Sequence, residues 1–354
     1  MTPGTPSRAG GACFGLPSSV RGTPPAEPVA LRDGVSTTLL RKKYLTADIG
    51  GSHATCAVVE FDRVRARRRI VIPPGSGLRQ LLPLIAESSR ELMRECECHS
   101  GDFTGIALAF CGLVDPVRRR IVSTNAKYDD AVSIDLPEWA QSSFGFGLRI
   151  ENDARMALLG ERLAGAARNF DDVVTITLGT GVGGAAMMNS RLVRGRHYQA
   201  GCLGGHLLAR VDGRLCTCGN IGCVEAEAST WALPEICRRR PGFEQSLLAR
   251  QPVLDFGVLF NCAEAGDSCA QQVLDDCVRV WSAGIVSLVH AYDPEVVVVG
   301  GGVMQSASVL LPKFIGYVHE HAWTPWGKVE IRAALLGDDA SLLGAAPLWE
   351  DPAL

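Results

Sequence analysis

The chain has 354 residues, enough for two packed lobes, and its 47% hydrophobic and 21% charged content is that of an ordinary soluble globular protein. Its formal net charge of −3 argues against a nucleic-acid partner held mainly by phosphate contacts, and no apolar stretch reaches the roughly 18 residues of a membrane span. An odd number of cysteines, 13, without a secretory signal indicates a reducing compartment, so we expect a cytoplasmic protein.

The first 43 residues differ in composition from the rest of the chain. They are rich in Pro, Gly, Ser and Arg and show almost no periodic apolar pattern, which is typical of a disordered arm. Because acidic residues are few, a transit-like segment or a wrongly assigned start is the alternative, but the prolines argue against an amphipathic helix. We therefore predict a disordered tail over residues 1–43.

Strand and helix signals follow this arm. A buried strand is predicted over 44–49, and the turn Gly50-Gly51 joins it to a hairpin partner over 55–61. Apolar residues then recur with helical spacing over 78–92, and 106–110 returns as a strand. This order predicts an α/β fold.

A polar tripeptide follows the short apolar strand 147–150. Glu151, Asn152 and Asp153 should emerge at the strand end, directly before the helix-like segment 154–163. Asn and Asp both favour helix N-caps, so capping is one role for this tripeptide, and a polar site at a strand end is the other.

A second unit of strand, glycine turn and strand follows. It consists of the strand 173–178, the turn 179–184 and the strand 185–188. A long amphipathic helix over 271–291 then leads into the strand 296–299. Because the strand–turn–strand arrangement occurs twice, the sequence predicts a duplicated architecture.

The turn-rich stretch 201–229 carries four side chains that bind metals, namely His206, Cys216, Cys218 and Cys223. Three thiols and one imidazole are the ligands that a closed, tetrahedral structural Zn²⁺ prefers. Ordinary buried cysteines are the alternative, because free Cys is often buried, but the clustering argues against it. The other cysteines, among them Cys111 and Cys202, lack such a setting and are interpreted as ordinary thiols.

The spacing H-x9-C-x-C-G-x2-G-C-x-E over 206–225 resembles the zinc signature of the ROK family, which contains bacterial sugar kinases and sugar-responsive repressors. Other segments that resemble the family follow in the expected order, and the resemblance covers residues 44 to about 349. These segments are ADIGGS at 47–52, ENDA at 151–154, LGTGVGG at 178–184 and VGGG at 299–302.

The resemblance implies a two-lobed actin-like ATPase fold, which is a duplicated ribonuclease H-like α/β architecture with a cleft between the lobes. It places a small N-terminal lobe at 44–151, completed by a C-terminal helix at about 341–350. A large C-terminal lobe is expected over 152–340, with the zinc loop at 206–223. Relatives often dimerise, so a homodimer is also expected.

The resemblance further implies that ATP and Mg²⁺ bind in the cleft. Each glycine turn would approach the phosphates through its backbone N–H groups, and Asp48 would hold Mg²⁺ or its water. A type I′ hairpin, which needs glycine for its backbone angles, is the competing explanation of the turns. The residues assigned to the nucleotide are Asp48, Gly50, Gly51, Ser52, Gly179, Thr180, Gly181, Gly301 and Gly302.

Asp153 resembles the family's catalytic base, the carboxylate that takes the proton of the sugar hydroxyl during phosphoryl transfer. The zinc ion would act as a scaffold for the wall of the sugar pocket. Glu225 belongs to that wall by resemblance, and a solvated glutamate at a helix start is the alternative. The residues assigned to the sugar are Gly112, Asn125, Asn152, Asp153, His206 and Glu225.

One position departs from the family. Many of its kinases carry a glutamate three residues before the zinc-binding histidine, where this chain has Leu203. A lost charge-assisted hydrogen bond is worth roughly 1.5–3 kcal/mol, enough to change the preferred sugar. The polar run 125–130 either supplies replacement contacts or is a solvated loop, and the loop is at least as good an explanation for 127–130.

We therefore expect an ATP-dependent kinase that phosphorylates a hydroxyl of a hexose or hexose derivative, similar to glucokinases or N-acetylhexosamine kinases of the family. Its ligands would be a sugar and ATP, without nucleic-acid or membrane partners. A sugar-binding regulator is one alternative, although residues 1–43 leave no room for the DNA-binding domain of such repressors. A catalytically silent family member is the other, and only Leu203 favours it.

Overall fold

The computed structural model describes residues 42–124 and 127–351, so nearly all of the predicted N-terminal arm, together with Asn125, lies outside the described residues. Two five-stranded mixed sheets form the frame of the described part. No helix within that part is long and apolar enough to cross a membrane.

The first sheet and a small hairpin inserted in its sequence contain β1 (Lys43–Ile49), β2 (His53–Glu60), β3 (Arg63–Val71), β4 (Phe103–Phe110), β5 (Leu113–Asp115), β6 (Arg120–Ser123) and β7 (Leu148–Asn152). The sheet has the order β3-β2-β1-β4-β7, and β5 pairs separately with β6. The first three strands form an antiparallel meander, and β4 and β7 continue it in parallel with β1.

Position in this sheet explains the residue patterns of its strands. The central strand β1 is covered on both faces, and its residues 44–47 are all buried. The edge strand β3 instead alternates exposed and half-buried residues, and its exposed positions include Arg63, Arg65, Arg67 and Arg69. Charged side chains on an edge strand oppose pairing with other chains.

The second sheet repeats this arrangement with β8 (Val173–Leu178), β9 (Val182–Met188), β10 (Arg191–Leu192), β11 (Val296–Gly300) and β12 (Glu330–Ala333). Its order is β10-β9-β8-β11-β12, with β8 antiparallel to β9 and parallel to β11. Each sheet therefore contains a hairpin closed by a glycine-rich turn, with a parallel strand beside the first hairpin strand. The predicted duplication is confirmed.

The helices are α1 (Leu78–Glu95), α2 (Leu136–Phe144), α3 (Asp153–Ala164), α4 (Val224–Ala228), α5 (Leu233–Arg238), α6 (Phe256–Glu264), α7 (Ser268–Tyr292), α8 (Ala307–His321), α9 (Ala340–Leu343) and α10 (Ala345–Glu350). The predicted helices over 78–92 and 271–291 correspond to α1 and α7. Three clusters of buried apolar residues hold these elements together. One lies under the first sheet with α1 and α2, and another joins the second sheet to α6, α7 and α8.

The third cluster is shared by both sheets. It combines apolar residues of α3, α9 and α10 with Val59 and Ala107 of the first sheet and Val173 and Val298 of the second. Helix α3 therefore lies between the two sheets, and its first residue directly follows the last residue of β7. The lobe boundaries near residues 151 and 340 stay a prediction.

The C-terminal helix expected at about 341–350 corresponds to the short helices α9 and α10, which Gly344 separates. This segment packs closely against α3. A Cβ at Gly344 would lie 2.3 Å from the carbonyl oxygen of Met156, and one at Gly160 would lie 1.9 Å from that of Ala340. Only glycine permits this backbone contact.

Replacing Gly160 by alanine should destabilise the protein by about 1–3 kcal/mol, because the added methyl group overlaps the Ala340 carbonyl. Gly316 in α8 is the matched control, since its Cβ would meet no atom within 4 Å. There, alanine should stabilise by roughly 0.8–1 kcal/mol through helix propensity alone. Urea unfolding of both variants tests this, and equal shifts of the midpoint in the same direction would contradict it.

Candidate active site

A cleft of about 870 Å³ is lined by strand ends of both sheets and by the first turns of α3. Most residues assigned to nucleotide and sugar line this one space, although they lie far apart in the chain. Those residues are Asp48, Gly112, Asn152, Asp153, Gly179, Thr180, Gly181, His206, Glu225, Gly301 and Gly302.

The first glycine turn is placed differently from the second. Gly50 and Ser52 do not line the cleft, and Gly51 lines a neighbouring groove of about 540 Å³. A Cβ at Gly51 would lie 1.9 Å from the Lys127 ammonium nitrogen, so that charge rests directly on the turn. The roles of these three residues in nucleotide binding therefore stay a prediction.

Backbone angles do not account for the glycines of either turn. Gly50, Gly51, Gly179 and Gly181 are not among the glycines with positive φ, so a type I′ hairpin does not explain them. Gly301 differs, because its φ is +93° and a Cβ there would lie 2.2 Å from the Leu178 carbonyl oxygen. Glycine at 301 thus lets the ends of β8 and β11 meet at the cleft.

Asn152 performs both roles that the sequence left open. Its side-chain oxygen caps α3 by accepting from the backbone N–H groups of Ala154 (3.1 Å) and Arg155 (3.3 Å). Its amide nitrogen donates to the Gly112 carbonyl (3.2 Å) and to the Asp153 carboxylate (2.9 Å). The cap therefore also fixes the carboxylate at the cleft.

Asp153 and Asp48 are neighbouring half-buried carboxylates at the cleft. Burial and the negative charge of Asp48 raise the pKa of Asp153 to about 7, against hydrogen bonds from Ala154 and Asn152. Burial also raises the pKa of Asp48, against a hydrogen bond of 2.6 Å that the Ser341 hydroxyl donates to it. Two neighbouring carboxylates of this kind favour the binding of a proton or a cation.

Acidic side chains dominate the lining of the cleft. The described residues that line the cleft include the carboxylates of Asp48, Asp153, Glu161, Glu225 and Asp338, and they include no Lys or Arg. A polyphosphate would be repelled by this lining unless a cation accompanied it. Oxygen ligands of this kind fit Mg²⁺, so the donor set fits the predicted cofactor pair.

Glu225 connects the second glycine turn to the metal-binding loop. Its carboxylate accepts from the backbone N–H of Val182 (2.9 Å), the Thr217 hydroxyl (3.3 Å) and the Trp231 indole (3.3 Å). The side chain is buried, so the alternative of a solvated glutamate is wrong. A Cβ at Gly181 would lie only 2.5 Å from a carboxylate oxygen of Glu225, so glycine at 181 makes room for this side chain.

The four predicted metal ligands converge. Their ligand atoms all lie within 4.8 Å of one another, with 3.7 Å between the Cys218 and Cys223 sulfurs and 3.5 Å from the Cys216 sulfur to His206 Nδ1. Tetrahedral Zn²⁺ with bonds of about 2.3 Å to sulfur needs ligand separations of about 3.8 Å. The residues therefore fit a structural zinc ion.

Sequence reasoning missed several cleft residues. Gln199 and Cys202 line the cleft beside Leu203, and Cys111 lines it beside Gly112, so two cysteines interpreted as ordinary thiols belong to this site. Burial raises the pKa of both thiols, that of Cys111 to about 12, so they are neutral and unreactive. Their closeness in sequence to His206 and Gly112 was the available signal.

The segment 127–130 is only partly the solvated loop that was one of its explanations. Tyr128 is buried, and its hydroxyl donates to the Gly50 carbonyl oxygen at 2.5 Å. Asp130 accepts from the backbone N–H groups of Leu78 and Arg79 at the start of α1, both at 2.8 Å. These contacts anchor the segment beside the first glycine turn, while Lys127 and Asp129 are exposed.

A family model and several known proteins are similar to this chain. The model of the ROK family matches residues 44–352. A glucokinase of Thermotoga maritima is 29% identical over 318 residues, which are 87% of this chain and 98% of that protein. The chain also resembles the xylose repressor of Bacillus subtilis, with 26% identity over 70% of this chain and 61% of the repressor.

A solved structure extends the comparison to the fold. The ROK family glucokinase of Streptomyces griseus in complex with glucose and AMPPNP superposes with a TM-score of 0.71 and 29% identity. The match covers 86% of this chain and 98% of that one. The prediction of an α/β actin-like ATPase fold is confirmed.

Asp153→Asn should stabilise the protein at neutral and alkaline pH. The folded-state pKa of Asp153 is raised from 3.8 to about 7, so the folded state keeps a proton that the unfolded state loses. Wild-type stability therefore falls as pH rises between those values and stays low above them. Asparagine avoids this cost, so its advantage should grow to on the order of 1–4 kcal/mol at pH 8.

Denaturant unfolding at pH 4 and pH 8, without Mg²⁺ or nucleotide, measures that advantage. Asp255→Asn is the control, because Asp255 caps α6 through the Val258 N–H away from the cleft and asparagine caps as well. An advantage of Asp153→Asn that is the same at both pH values would contradict the raised pKa.

Protein purified without added zinc should contain about one zinc ion per chain. Cys218→Ser removes one ligand and should weaken zinc binding by more than the roughly tenfold that loss of an outer-shell partner costs. Cys96→Ser is the control, since Cys96 lies outside the cluster. Metal analysis measures the zinc content of both variants, and a chelator titration measures their zinc affinity. Equal zinc loss in the two variants would refute the site.

Proposed function

Because the chain belongs to the ROK family, we propose that it is an ATP-dependent kinase that phosphorylates a hydroxyl of a hexose or hexose derivative. The observation that carries this proposal is the position of Asp153. Its half-buried carboxylate lines the same cleft as the turn Gly179–Gly181 and the glycines at 300–302. A base and two backbone surfaces for a nucleotide in one space are what phosphoryl transfer to an alcohol needs.

Asp153 acts as the general base in this proposal. As the sugar oxygen bonds to the terminal phosphorus of ATP, the bond to ADP breaks and the hydroxyl proton passes to the carboxylate. A pKa raised to about 7 supports this role, because it makes the carboxylate a better proton acceptor while about half of the molecules still carry it ionised at neutral pH. The contacts from Asn152 and Ala154 hold it in one orientation.

ATP enters as its Mg²⁺ complex. Asp48 would hold the ion or one of its waters, and the ion neutralises phosphate charge that the acidic lining would otherwise repel. The second glycine turn receives phosphate oxygens through its N–H groups. A relative solved with glucose and AMPPNP supports a sugar and an adenine nucleotide as the two ligands.

The sugar lies on the side of the cleft formed by Gly112, Asn152, His206 and Glu225. The zinc ion would hold His206 and the loop before Glu225, so it shapes this wall without taking part in the reaction. Leu203 lies on the same wall and is 39% exposed. Its apolar side chain cannot bond a hydroxyl, so we expect a sugar preference different from that of kinases with a carboxylate there.

A sugar-binding regulator is the second candidate, and similarity to a xylose repressor favours it. Binding alone needs no base, so turnover separates the two functions.

Asp153→Asn should reduce turnover by about 100-fold to 10,000-fold while the protein stays folded, because the proton of the hydroxyl loses its acceptor. ATP consumption is measured against hexoses, amino sugars and N-acetylated sugars, with Asp255→Asn as the control. Turnover on one sugar that survives in the control and disappears in Asp153→Asn supports the kinase. Wild-type turnover in Asp153→Asn overturns the role of Asp153, and sugar binding without any turnover favours the regulator.

A further inference from the structure

Residues 194–203, here called the acceptor loop, connect β10 to the wall of the cleft. The loop has no helix or strand, and it lines the cleft through Gln199, Cys202 and Leu203. The N–H of His206 then donates to the carbonyl of Leu203 at 2.9 Å. The loop therefore joins the cleft wall to the first zinc ligand, and its position decides the shape of the sugar side.

One buried cation holds this loop from the opposite side. The Arg155 side chain is fully buried, and its Nη2 donates to the carbonyl oxygens of Tyr198 (2.9 Å) and Ala200 (2.6 Å). Charge-assisted bonds of this kind are stronger than neutral ones. Tyr198 has φ of +62° and Gly201 has φ of +78°, so the bonded carbonyls lie in a stretch with two left-handed residues.

The same guanidinium also contacts the segment that contains Asp153. Arg155 lies two residues after Asp153 on α3, and its Nη1 donates to the fully buried carboxylate of Glu151 (3.2 Å). Glu151 also accepts from the backbone N–H of Asn152 (2.9 Å) and, through its other oxygen, from Arg194 Nε (2.7 Å). The pair therefore links the segment that contains Asp153 to the start and the middle of the acceptor loop.

We infer that Arg155 is a positioning residue for the sugar, which fixes the acceptor loop relative to Asp153 and so sets sugar affinity and selectivity. The inference rests on the proposed function, because it assigns the loop to the sugar. The nucleotide side is held independently. Glu161, further along α3, accepts from the backbone N–H groups of Leu335 and Leu336, next to the glycines at 300–302.

A second arginine of α3 is bonded in a similar way but does not contact the site. The Nε of Arg155 is buried without a hydrogen-bond partner in the described part of the chain, and an unpaired buried donor is unfavourable. Arg162, two turns further along α3, also has an unpaired buried Nε and an ion pair, with Asp171 at 2.9 Å. It contacts neither the cleft nor the acceptor loop, so Arg162→Met is a matched control.

Arg155→Lys keeps a positive charge for Glu151 but cannot span that carboxylate and both carbonyls. We expect the KM for the sugar to rise at least about tenfold, because small displacements of positioned groups cost up to about 100-fold. The KM for ATP should change less than about twofold, and zinc content should be unchanged. Hydrogen exchange of the peptide 194–203 should become faster, while Arg162→Met alters neither the sugar KM nor this exchange.

Arg155→Met is measured alongside, and if it does not fold, Arg155→Lys carries the test. An unchanged sugar KM with unchanged exchange in Arg155→Lys overturns the inference. So does an equal loss for sugar and ATP, which indicates a merely structural role. A wild-type protein that phosphorylates no sugar contradicts the proposed function instead, and exchange of the acceptor loop then still decides whether Arg155 holds it.

Discussion

The organisation of the cleft depends on two half-buried carboxylates that lie close enough to interact electrostatically. Asp48 is the penultimate residue of β1 in the first sheet, and Asp153 begins the helix that follows β7 of the same sheet. Two such charges are tolerated only with donors or a cation nearby. The Ser341 hydroxyl, the Asn152 amide and the Ala154 N–H supply the donors, and the acidic lining leaves the cation to be supplied with the nucleotide.

Helix α3 turns this local arrangement into a site with two sides. It starts at Asp153, and its buried polar residues Arg155 and Glu161 bind different segments through backbone groups. It also packs against α9 through Gly160, without any side chain between the backbones. One helix therefore carries Asp153, the proposed base, together with the residues that bind the segments on both sides of the cleft.

Local patterns were sufficient to predict much of this structure. Apolar strands with glycine turns, the helical spacing of α1 and α7, the polar residues at the end of β7 and the Cys/His cluster each depend on neighbours in sequence. The glycine turns also show where such prediction ends. Both were expected at the nucleotide, yet only Gly179–Gly181 lines the cleft, because tertiary packing and not turn composition decides which space a turn faces.

Contacts between distant segments could not be predicted in the same way. Nothing near Arg155 in sequence indicates that it binds carbonyls 43 and 45 residues away, and nothing near Glu161 indicates Leu335. The close packing of Gly344 against the Met156 carbonyl likewise joins two helices that are distant in sequence. Cys202 was interpreted by residue type, since free cysteines are usually buried packing residues, and its place at the cleft follows from the acceptor loop.

The central claim is that Asp153 faces the acceptor hydroxyl in the same cleft that holds the nucleotide. A crystal structure with Mg²⁺, a non-hydrolysable ATP analogue and the sugar that supports turnover tests it most directly. We expect one hydroxyl oxygen about 2.6–3.2 Å from the Asp153 carboxylate and pointing at the terminal phosphorus. A sugar bound outside the cleft, or one whose hydroxyls all lie beyond reach of Asp153 with the nucleotide in place, would contradict it.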